Sequence, residues 1–286
     1  ESVKVAISGD SSSLMGVMAT INSIVQSTKH PVYFLLTLPL KTIPDLRDWI
    51  RKSPLLHVNY VVRPHVAGIP YGKPQYAKIY IDKIFPEIEG MFIYLGNDVI
   101  VQGDIQELIN LEIPVGYKGL FSEDCNSASK RISYSKPFYS AHVSLKHSKI
   151  SSSAIKPEAC TFNTDVFVGN MTQWKNEKIF SQLQQWVNIS HSENIVGMEL
   201  TADSAEVAYL LVFYHKIKTL PHMWHIGELG ARTGTGYSKQ FISSAKLLHW
   251  NGHYKPWARR SAFYDAWHKH YPPDPSLKYR PFRRYA

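Results

Sequence analysis

The feature that most constrains the fold is the regular alternation of short apolar segments with helix-like segments in the N-terminal part of the chain. The apolar segments have the length and composition of buried strands and cover residues 3–8, 32–38, 56–62 and 91–95. The segments between them have helical periodicity and cover residues 14–25, 45–52 and 76–85. Strands separated in this way predict an α/β fold with a mainly parallel sheet covered on both faces. Ligands of such sheets bind beyond the carboxyl ends of the strands, where Asp10 and Asp98 lie.

The second half of the chain is less regular. Residues 121–140 are polar and turn-rich and are predicted to form a surface excursion. Further on, strands are predicted for residues 162–170 and 215–220, and helices for residues 172–187 and 202–213. The segment from about 250 to 286 is loop-rich and basic. Because the chain shows no internal repeat, low-complexity tract or clear linker, we expect one domain over residues 1–286.

Two separate segments carry the residues of a possible binding site. In FIYLGNDVIVQGDIQEL (residues 92–108), Asp98 follows an apolar strand, and in LLHWNGHYKPW (residues 247–257), Lys255 follows His249 by six positions. A carboxylate and an imidazole can ligate a divalent cation, and an ammonium group can neutralise phosphate oxygens. Together the two segments predict a site for a metal-bound diphosphate.

Composition and motifs exclude several other classes of protein. The formal net charge is +9, but the basic residues are scattered apart from Arg259-Arg260 and the tail 278–286. Nucleic acid is therefore not an expected partner, since it requires a basic stripe with stacking aromatics. The chain has no P-loop, dinucleotide fingerprint, HExxH or GxSxG motif, and its thirteen histidines form no tight cluster. No apolar run approaches the roughly 18 residues of a membrane span, so membrane contact is expected only through an upstream anchor.

The two cysteines, Cys125 and Cys160, are too far apart in sequence for a CxxC site. Buried free thiols are one interpretation. Two glycosylation sequons, at Asn170 and Asn188, favour a secretory compartment, where a disulfide could form instead. The sequence leaves both interpretations open.

With these segments identified, the chain resembles glycosyltransferase family 8, and most closely the animal glycosyltransferase 8 domain-containing proteins. The stretches that carry the resemblance are DVIVQGDIQEL, FNTDVFV, NMTQWK, MWHIGELG and AKLLHWNGHYKPW. The resemblance implies a GT-A (Rossmann-like) nucleotide-sugar transferase fold. It also implies a UDP-sugar donor, a divalent metal (usually Mn²⁺), a glycan or glycoprotein acceptor and retention of anomeric configuration. The implied location is the secretory pathway, in the Golgi lumen or outside the cell.

The resemblance also assigns roles to individual residues. Asp98 matches the last acid of the family's DxD motif, and His249 matches its further metal ligand. The turn from Ala6 to Asp10 is expected to meet the uracil. The other residues expected to contact the base, donor sugar or diphosphate are Tyr76, Lys78, Asn97, Asn163, Asp165, Gly252 and Lys255. Glu206 and Asp203 lie near the family position that faces the anomeric carbon and are the candidates for catalytic assistance.

The sequence departs from the family pattern at the expected reaction centre. Gly96-Asn97-Asp98 lacks the first acid of DxD, and Asp165 stands where the family has glycine in its FNxG strand. Lys78 replaces an arginine, which keeps the charge but loses the bidentate fork. These changes leave a second hypothesis, a catalytically weak or inactive protein that binds nucleotide, glycan or a protein partner. A third hypothesis is a basic glycan-binding module without nucleotide affinity.

Overall fold

The computed structural model describes residues 2–65, 73–133, 136–198, 203–231 and 236–282. The strands are β1 (Val3–Ser8), β2 (Val32–Leu38), β3 (Asn59–Pro64), β4 (Met91–Leu95), β5 (Val99–Val101), β6 (Gly119–Glu123), β7 (Phe162–Asn170), β8 (Ile217–Thr219) and β9 (Leu247–His249). The helices are α1 (Leu14–Ser27), α2 (Ile43–Arg51), α3 (Ile81–Ile84), α4 (Gln106–Ile109), α5 (Tyr139–His142), α6 (Ser148–Ser151), α7 (Met171–Asn176), α8 (Ile179–Ser192), α9 (Ser204–Phe213), α10 (Lys239–Ser244) and α11 (Tyr264–His268).

Within the described residues the main sheet has seven strands in the order β3-β2-β1-β4-β7-β6-β8. Strands β1 to β4 pair in parallel, as do β6 and β8, whereas β7 runs antiparallel to both its neighbours. The prediction of an α/β fold with a mainly parallel sheet is therefore confirmed. Strand order reverses at β1, so the loops after β1 and β4 open into one crevice, which is where ligands of such sheets bind.

Both faces of the sheet are covered because its strands are apolar on both sides. In β4, Ile93 and Leu95 join the core beneath α1 and α2, while Phe92 and Tyr94 join the core beneath α8 and α9. Alternate side chains of a strand point to opposite faces, so a continuous apolar run predicts burial on both. The loop after β4 therefore starts from the centre of the sheet.

The small sheet of β5 and β9 joins the two segments that the sequence marked as a possible site. These strands pair antiparallel, with Val99 opposite His249. Helix α1 lies close beneath this sheet because it carries Gly16. A Cβ atom at Gly16 would lie 2.0 Å from the backbone oxygen of Asn97 and 2.4 Å from the Trp257 ring. Any side chain at Gly16 would therefore push the Asp98 loop away from α1.

Several predicted elements differ from the structure. The polar segment 121–140 is not wholly an excursion, because its first residues belong to β6. The predicted helix 172–187 is two helices, α7 and α8, separated at Lys178, which has a left-handed backbone (φ 56°). The predicted helix 76–85 begins as a 3₁₀ helix, Pro74–Tyr80, and continues as α3. No helix in the described ranges has both the length and the apolar character needed to cross a membrane.

Candidate active site

Three side chains from the two marked segments meet beyond the end of β4. Asp98 lies in the turn between β4 and β5, and its backbone oxygen accepts a hydrogen bond from Trp250 N at 2.9 Å. His249 Nε2 lies 3.2 Å from Asp98 Oδ1, and Lys255 Nζ lies 2.5 Å from Asp98 Oδ2. Asp98 is 7% exposed and His249 is fully buried. The structure thus brings residues 98, 249 and 255 into one cluster, as the sequence analysis predicts.

The charge of this cluster is set by the lysine and the histidine. Burial alone would raise the pKa of the Asp98 carboxyl, but the Lys255 ammonium and His249 outweigh it and hold that pKa well below its ordinary value. Asp98 therefore stays ionised at physiological pH, which a metal ligand requires.

Two side chains of the cluster have the chemistry of metal ligands. The buried Nε2 atom of His249 has no hydrogen-bond partner although it lies beside the Asp98 carboxylate. An unpartnered nitrogen next to an ionised carboxylate fits a divalent cation bound between them. In the described part of the chain, no three His, Cys, Asp or Glu side chains are grouped to hold a cation. A cation here would have two protein ligands and take the others from water or from substrate phosphates.

A buried lysine forms the second charged group. Lys78 is 2% exposed, and its Nζ donates to Asp165 Oδ1 at 2.7 Å, Thr164 Oγ1 at 2.8 Å and Thr164 O at 2.9 Å. Burial alone would raise the pKa of Asp165, but Lys78 outweighs it and lowers that pKa. Asp165 is therefore ionised, and its side chain is 40% exposed. Lys78 is neutralised by a carboxylate that also faces the site.

The two departures from the family pattern are neighbours in space. Gly96 N donates to Asp165 O at 2.7 Å across the β4–β7 pair. A Cβ atom at Gly96 would lie 3.5 Å from the Cβ of Asp165 and 2.8 Å from Asp98 Oδ1. A carboxylate on residue 96 would therefore enter the space that the Asp165 carboxylate borders.

The loop after β1 lies beside this cluster. Asn97 Nδ2 donates to Ser8 O at 2.9 Å, so the side chain next to Asp98 is fixed against the end of β1. Asp10 Oδ1 accepts from Ser12 N at 2.9 Å and from Ser13 N at 3.0 Å. One oxygen of Asp10 thus organises the turn that leads into α1.

Ala6 and Tyr76 lie deeper than their expected role suggests. Ala6 is inside β1, paired with Leu35 and Tyr94, and is 2% exposed, so it lies within the strand and not in the turn that follows. Tyr76 is 5% exposed, with its ring edge-on to His191 at 6.3 Å between centroids.

The turn after β9 requires glycine. Gly252 has φ +109°, and a Cβ atom there would lie 2.7 Å from Gly230 O. This left-handed residue reverses the chain, so that Tyr254 N donates to Gly230 O at 2.8 Å and Lys255 returns to Asp98. The HWNG segment thus positions both the imidazole and the ammonium group.

A cavity of about 600 Å³ lies next to this cluster: it is lined by His225, which contacts His249, but not by Asp98, His249 or Lys255 themselves. The residues that line it on the side of the cluster are Asn163, Asp165, His225 and Gly252. Asn163 Oδ1 accepts a hydrogen bond from Asp165 N at 2.9 Å, which fixes its amide on the cavity wall. Three carboxyl groups also line the cavity, those of Asp124, Glu206 and Glu228.

These three carboxyl groups have raised pKa values. Burial raises the pKa of Glu206, although its Oε1 lies 2.7 Å from His142 Nδ1. Burial also raises the pKa of Glu228, and it raises that of Asp124 to about 7 despite the hydrogen bond from Thr161 Oγ1. Acids with raised pKa values grouped in one cleft are typical of functional sites.

The two catalytic candidates differ in position. Glu206 lines the cavity, whereas Asp203 is the N-cap of α9 and its Oδ1 accepts from Glu206 N at 2.9 Å. Gln75 Nε2 lies 3.4 Å from the other oxygen of Asp203. Capping is therefore the contact that the structure shows for Asp203, and a role at the anomeric carbon fits Glu206 better.

Sequence reasoning missed several residues of this cavity. Asp124 directly follows β6, a strand whose polar, turn-rich surroundings predict a surface segment instead. His142 and His225 had no local signal, since their partners are 64 and 24 residues away. The disulfide Cys125–Cys160, which the sequence left open, is formed and ties the segment after Asp124 to the start of β7.

The sheet order and the antiparallel β7 define the class of fold: the chain has the GT-A fold. Solved structures of that class agree. The galactosyltransferase LgtC superposes with a TM-score of 0.67 over 98% of this chain and 98% of its own, at 12% identity. The bifunctional glycosyltransferase WbbM superposes with a TM-score of 0.69 over 96% of this chain and 50% of its own, at 16% identity.

The chain belongs to glycosyltransferase family 8. The family model "Glycosyl transferase family 8" matches residues 4–261. Glycosyltransferase 8 domain-containing protein 1 is 34% identical in Homo sapiens and 36% in Danio rerio; each alignment covers all of this chain and 81% and 82% of the respective relative. Glycosyltransferase 8 domain-containing protein 2 from Mus musculus is 33% identical over 96% of this chain and 84% of its own length. Membership of this family supports glycosyl transfer in general, with a nucleotide-sugar donor and a glycan acceptor.

Proposed function

We propose that this protein is a retaining glycosyltransferase that moves a hexosyl unit from a UDP-sugar to a glycan or protein-linked acceptor. The observation that carries the proposal is the cluster of Asp98, His249 and Lys255, with an acid-lined cavity next to it. The cluster suits a diphosphate, and the cavity has the volume and hydrogen-bonding groups for a sugar.

Lys255 is the residue that acts on the leaving group. Its side chain is 36% exposed and ends at the cluster, where a diphosphate can replace Asp98 as its partner. An ammonium group aimed at the diphosphate stabilises the charge that develops when UDP departs. A divalent cation held by Asp98 and His249, Mn²⁺ in most enzymes of this kind, would supply further positive charge at the same oxygens.

The cavity wall positions the sugar. Asn163, Asp165 and Glu206 line the cavity that lies next to the proposed diphosphate site. Glu206 and His142 hold a proton between them, because burial raises the pKa of Glu206 and Glu206 raises that of His142 against the effect of burial. Such a pair can assist proton transfer at the acceptor hydroxyl, which attacks from the face that the leaving group vacates.

Calorimetry with UDP tests the proposal. We expect UDP to bind at least tenfold more tightly with Mn²⁺ than with chelator, a difference of about 1.4 kcal/mol. Slow hydrolysis of a UDP-sugar should accompany the metal-enhanced binding. Equal affinity for UDP with and without Mn²⁺ contradicts the metal-dependent mechanism, and retention on heparin without any affinity for UDP supports the glycan-binding module instead.

Asp165 is proposed to substitute for the acid that Gly96 lacks, because the two positions border the same space. The double variant Gly96→Asp, Asp165→Gly removes the carboxylate from β7 and places one on residue 96, directly after β4. We expect it to bind Mn²⁺ with UDP at least as tightly as the wild type, whereas Asp165→Gly alone should lose about tenfold in affinity through the lost charge. A single variant as tight as the wild type would show that Asp165 plays no part at the cation.

A second candidate function is a catalytically weak or inactive transferase-like protein. The absence of an acid at Gly96, and of any group of three metal-ligating side chains in the described ranges, favours it. Donor hydrolysis discriminates the two: UDP binding that Mn²⁺ strengthens, without detectable hydrolysis of any UDP-sugar, supports this second function.

The proposed location is the secretory pathway, in the Golgi lumen or outside the cell. The disulfide Cys125–Cys160 suits an oxidising compartment. Asn188 is exposed on α8, whereas Asn170 is partly buried and its Oδ1 caps α7 through Gln173 N. We therefore expect one N-glycan, at Asn188, on protein from animal cells. Deglycosylation should shift the mass of the wild type and of Asn170→Gln, and should leave Asn188→Gln unshifted.

A further inference from the structure

A second histidine contacts the metal-ligand candidate from behind. His225 Nε2 lies 2.9 Å from His249 Nδ1, and His225 Nδ1 lies 2.9 Å from Ser122 Oγ. His225 is 6% exposed and Ser122 is 7% exposed. The three residues come from the bulge of β6, the loop after β8 and the end of β9. Five polar atoms thus form a buried chain that runs from Ser122 Oγ to His249 Nε2, which faces Asp98.

The direction of the hydrogen bonds between these atoms decides whether His249 can ligate a cation. If His225 Nδ1–H donates to Ser122, then His225 Nε2 accepts from His249 Nδ1–H, and the lone pair of His249 Nε2 faces Asp98. If the chain runs the other way, His249 Nε2 carries the hydrogen and cannot ligate a cation. In the second arrangement the hydrogen on His249 Nε2 points at Asp98 Oδ1, 3.2 Å away, and takes the place of a cation between the two side chains.

We propose that His225 is a positioning residue that holds His249 in the tautomer able to bind a divalent cation. The inference rests on the proposed function, because it needs a cation at Asp98 and His249. Histidine ligands donate their second ring N–H to a partner that fixes both the tautomer and the ring orientation. That partner is usually a carboxylate or a carbonyl oxygen, and here it is the acceptor nitrogen of a second imidazole, held in turn by Ser122.

The packing around His225 supports this role. Its ring centroid lies 5.2 Å from that of His249 at 56°, so the contact is made edge to edge through nitrogens and not by stacking. A Cβ atom at Gly227 would lie 3.3 Å from His225 Cε1. The absence of a side chain at Gly227 therefore lets the ring sit between Ser122 and His249.

Three variants test the proposal. His225→Leu keeps much of the volume but cannot accept a hydrogen bond, while His225→Gln places an amide oxygen close to the position of Nε2. His270→Leu is the matched control, because His270 is a buried histidine (8% exposed) that contacts Gln26, outside the site. The affinity for Mn²⁺ in the presence of UDP is measured by calorimetry, and the melting temperature is measured alongside.

We expect His225→Leu to weaken Mn²⁺ binding by about 10- to 100-fold, the usual cost of losing such a partner. His225→Gln should recover most of the affinity, and His270→Leu should bind Mn²⁺ as the wild type does. In wild-type protein loaded with Mg²⁺ and UDP, long-range ¹H–¹⁵N spectra should show hydrogen on Nδ1 of His249 and none on Nε2. This spectrum decides the question if His225→Leu does not fold.

Two results overturn the inference alone: His225→Leu binding Mn²⁺ as tightly as the wild type, or hydrogen on Nε2 of His249 in the loaded protein. A wild type that binds neither Mn²⁺ nor Mg²⁺ with UDP overturns the proposed metal mechanism as well.

Discussion

Asp98→Ala is expected to abolish metal-dependent binding of UDP and to reduce UDP-sugar hydrolysis by at least about 10³-fold, or about 4 kcal/mol. The variant removes a cation ligand and the ionised partner of both His249 and Lys255. It leaves Lys255 to contact the diphosphate without a bound cation, so residual UDP affinity should no longer respond to Mn²⁺. Calorimetry with and without chelator, together with a hydrolysis assay, measures both effects.

Asp45→Asn is the matched control for Asp98→Ala. Asp45 is also a carboxylate that pairs with a lysine, Lys278, but the pair lies on the surface, where the side chains are 30% and 60% exposed. Exposed pairs contribute up to about 1 kcal/mol to stability, so the control should keep its UDP affinity and its hydrolysis rate. Wild-type behaviour of Asp98→Ala would remove the basis of the proposed function.

Asp124→Asn is expected to stabilise the protein at neutral and alkaline pH. Burial raises the pKa of Asp124 to about 7 in the folded protein, against 3.8 for the ordinary group. Between these values the folded state binds more protons than the unfolded chain, so the free energy of unfolding of the wild type falls as the pH rises. This pKa difference corresponds to at most about 4 kcal/mol of unfolding free energy. We expect a smaller effect because the Asp124 side chain is only partly buried.

Denaturant unfolding at pH 5 and pH 8, with the disulfide intact, measures this effect. The asparagine variant keeps an acceptor for Thr161 Oγ1 but cannot ionise, so its stability should change less between the two pH values than that of the wild type. Glu123→Gln, at the neighbouring residue that ends β6 and does not line the cavity, serves as the control and should follow the wild type. Parallel pH profiles for the wild type and Asp124→Asn would show that Asp124 ionises normally.

The sheet and the central cluster were predictable because local patterns determine them. Apolar strands separated by helices require a mainly parallel sheet, and a strand-end acid in such a sheet lies at the crevice. The convergence of Asp98 with His249 and Lys255 was predictable from their chemistry and spacing, although the β5–β9 pairing that produces it left no separate signal.

Strand β6 and the histidine contacts around the cavity were not predictable in the same way. Strand β6 offers only Gly119, Leu120 and Phe121 as apolar positions, and it is stable because β7 and β8 flank it. Tertiary pairing thus overrides a polar local sequence. The contact of His142 with Glu206 and that of His225 with His249 join distant elements, so neither leaves any periodicity to detect.

The covalent link between Cys125 and Cys160 carries a practical consequence for preparing this protein. It fastens the segment that bears Asp124 to the strand that bears Asn163, while the cluster around Asp98 lies on elements that the link does not hold. Material made in a reducing bacterial cytosol would lack this tether between two segments of the cavity wall. The choice of expression host therefore decides whether Asp124 and Asn163 are held together covalently.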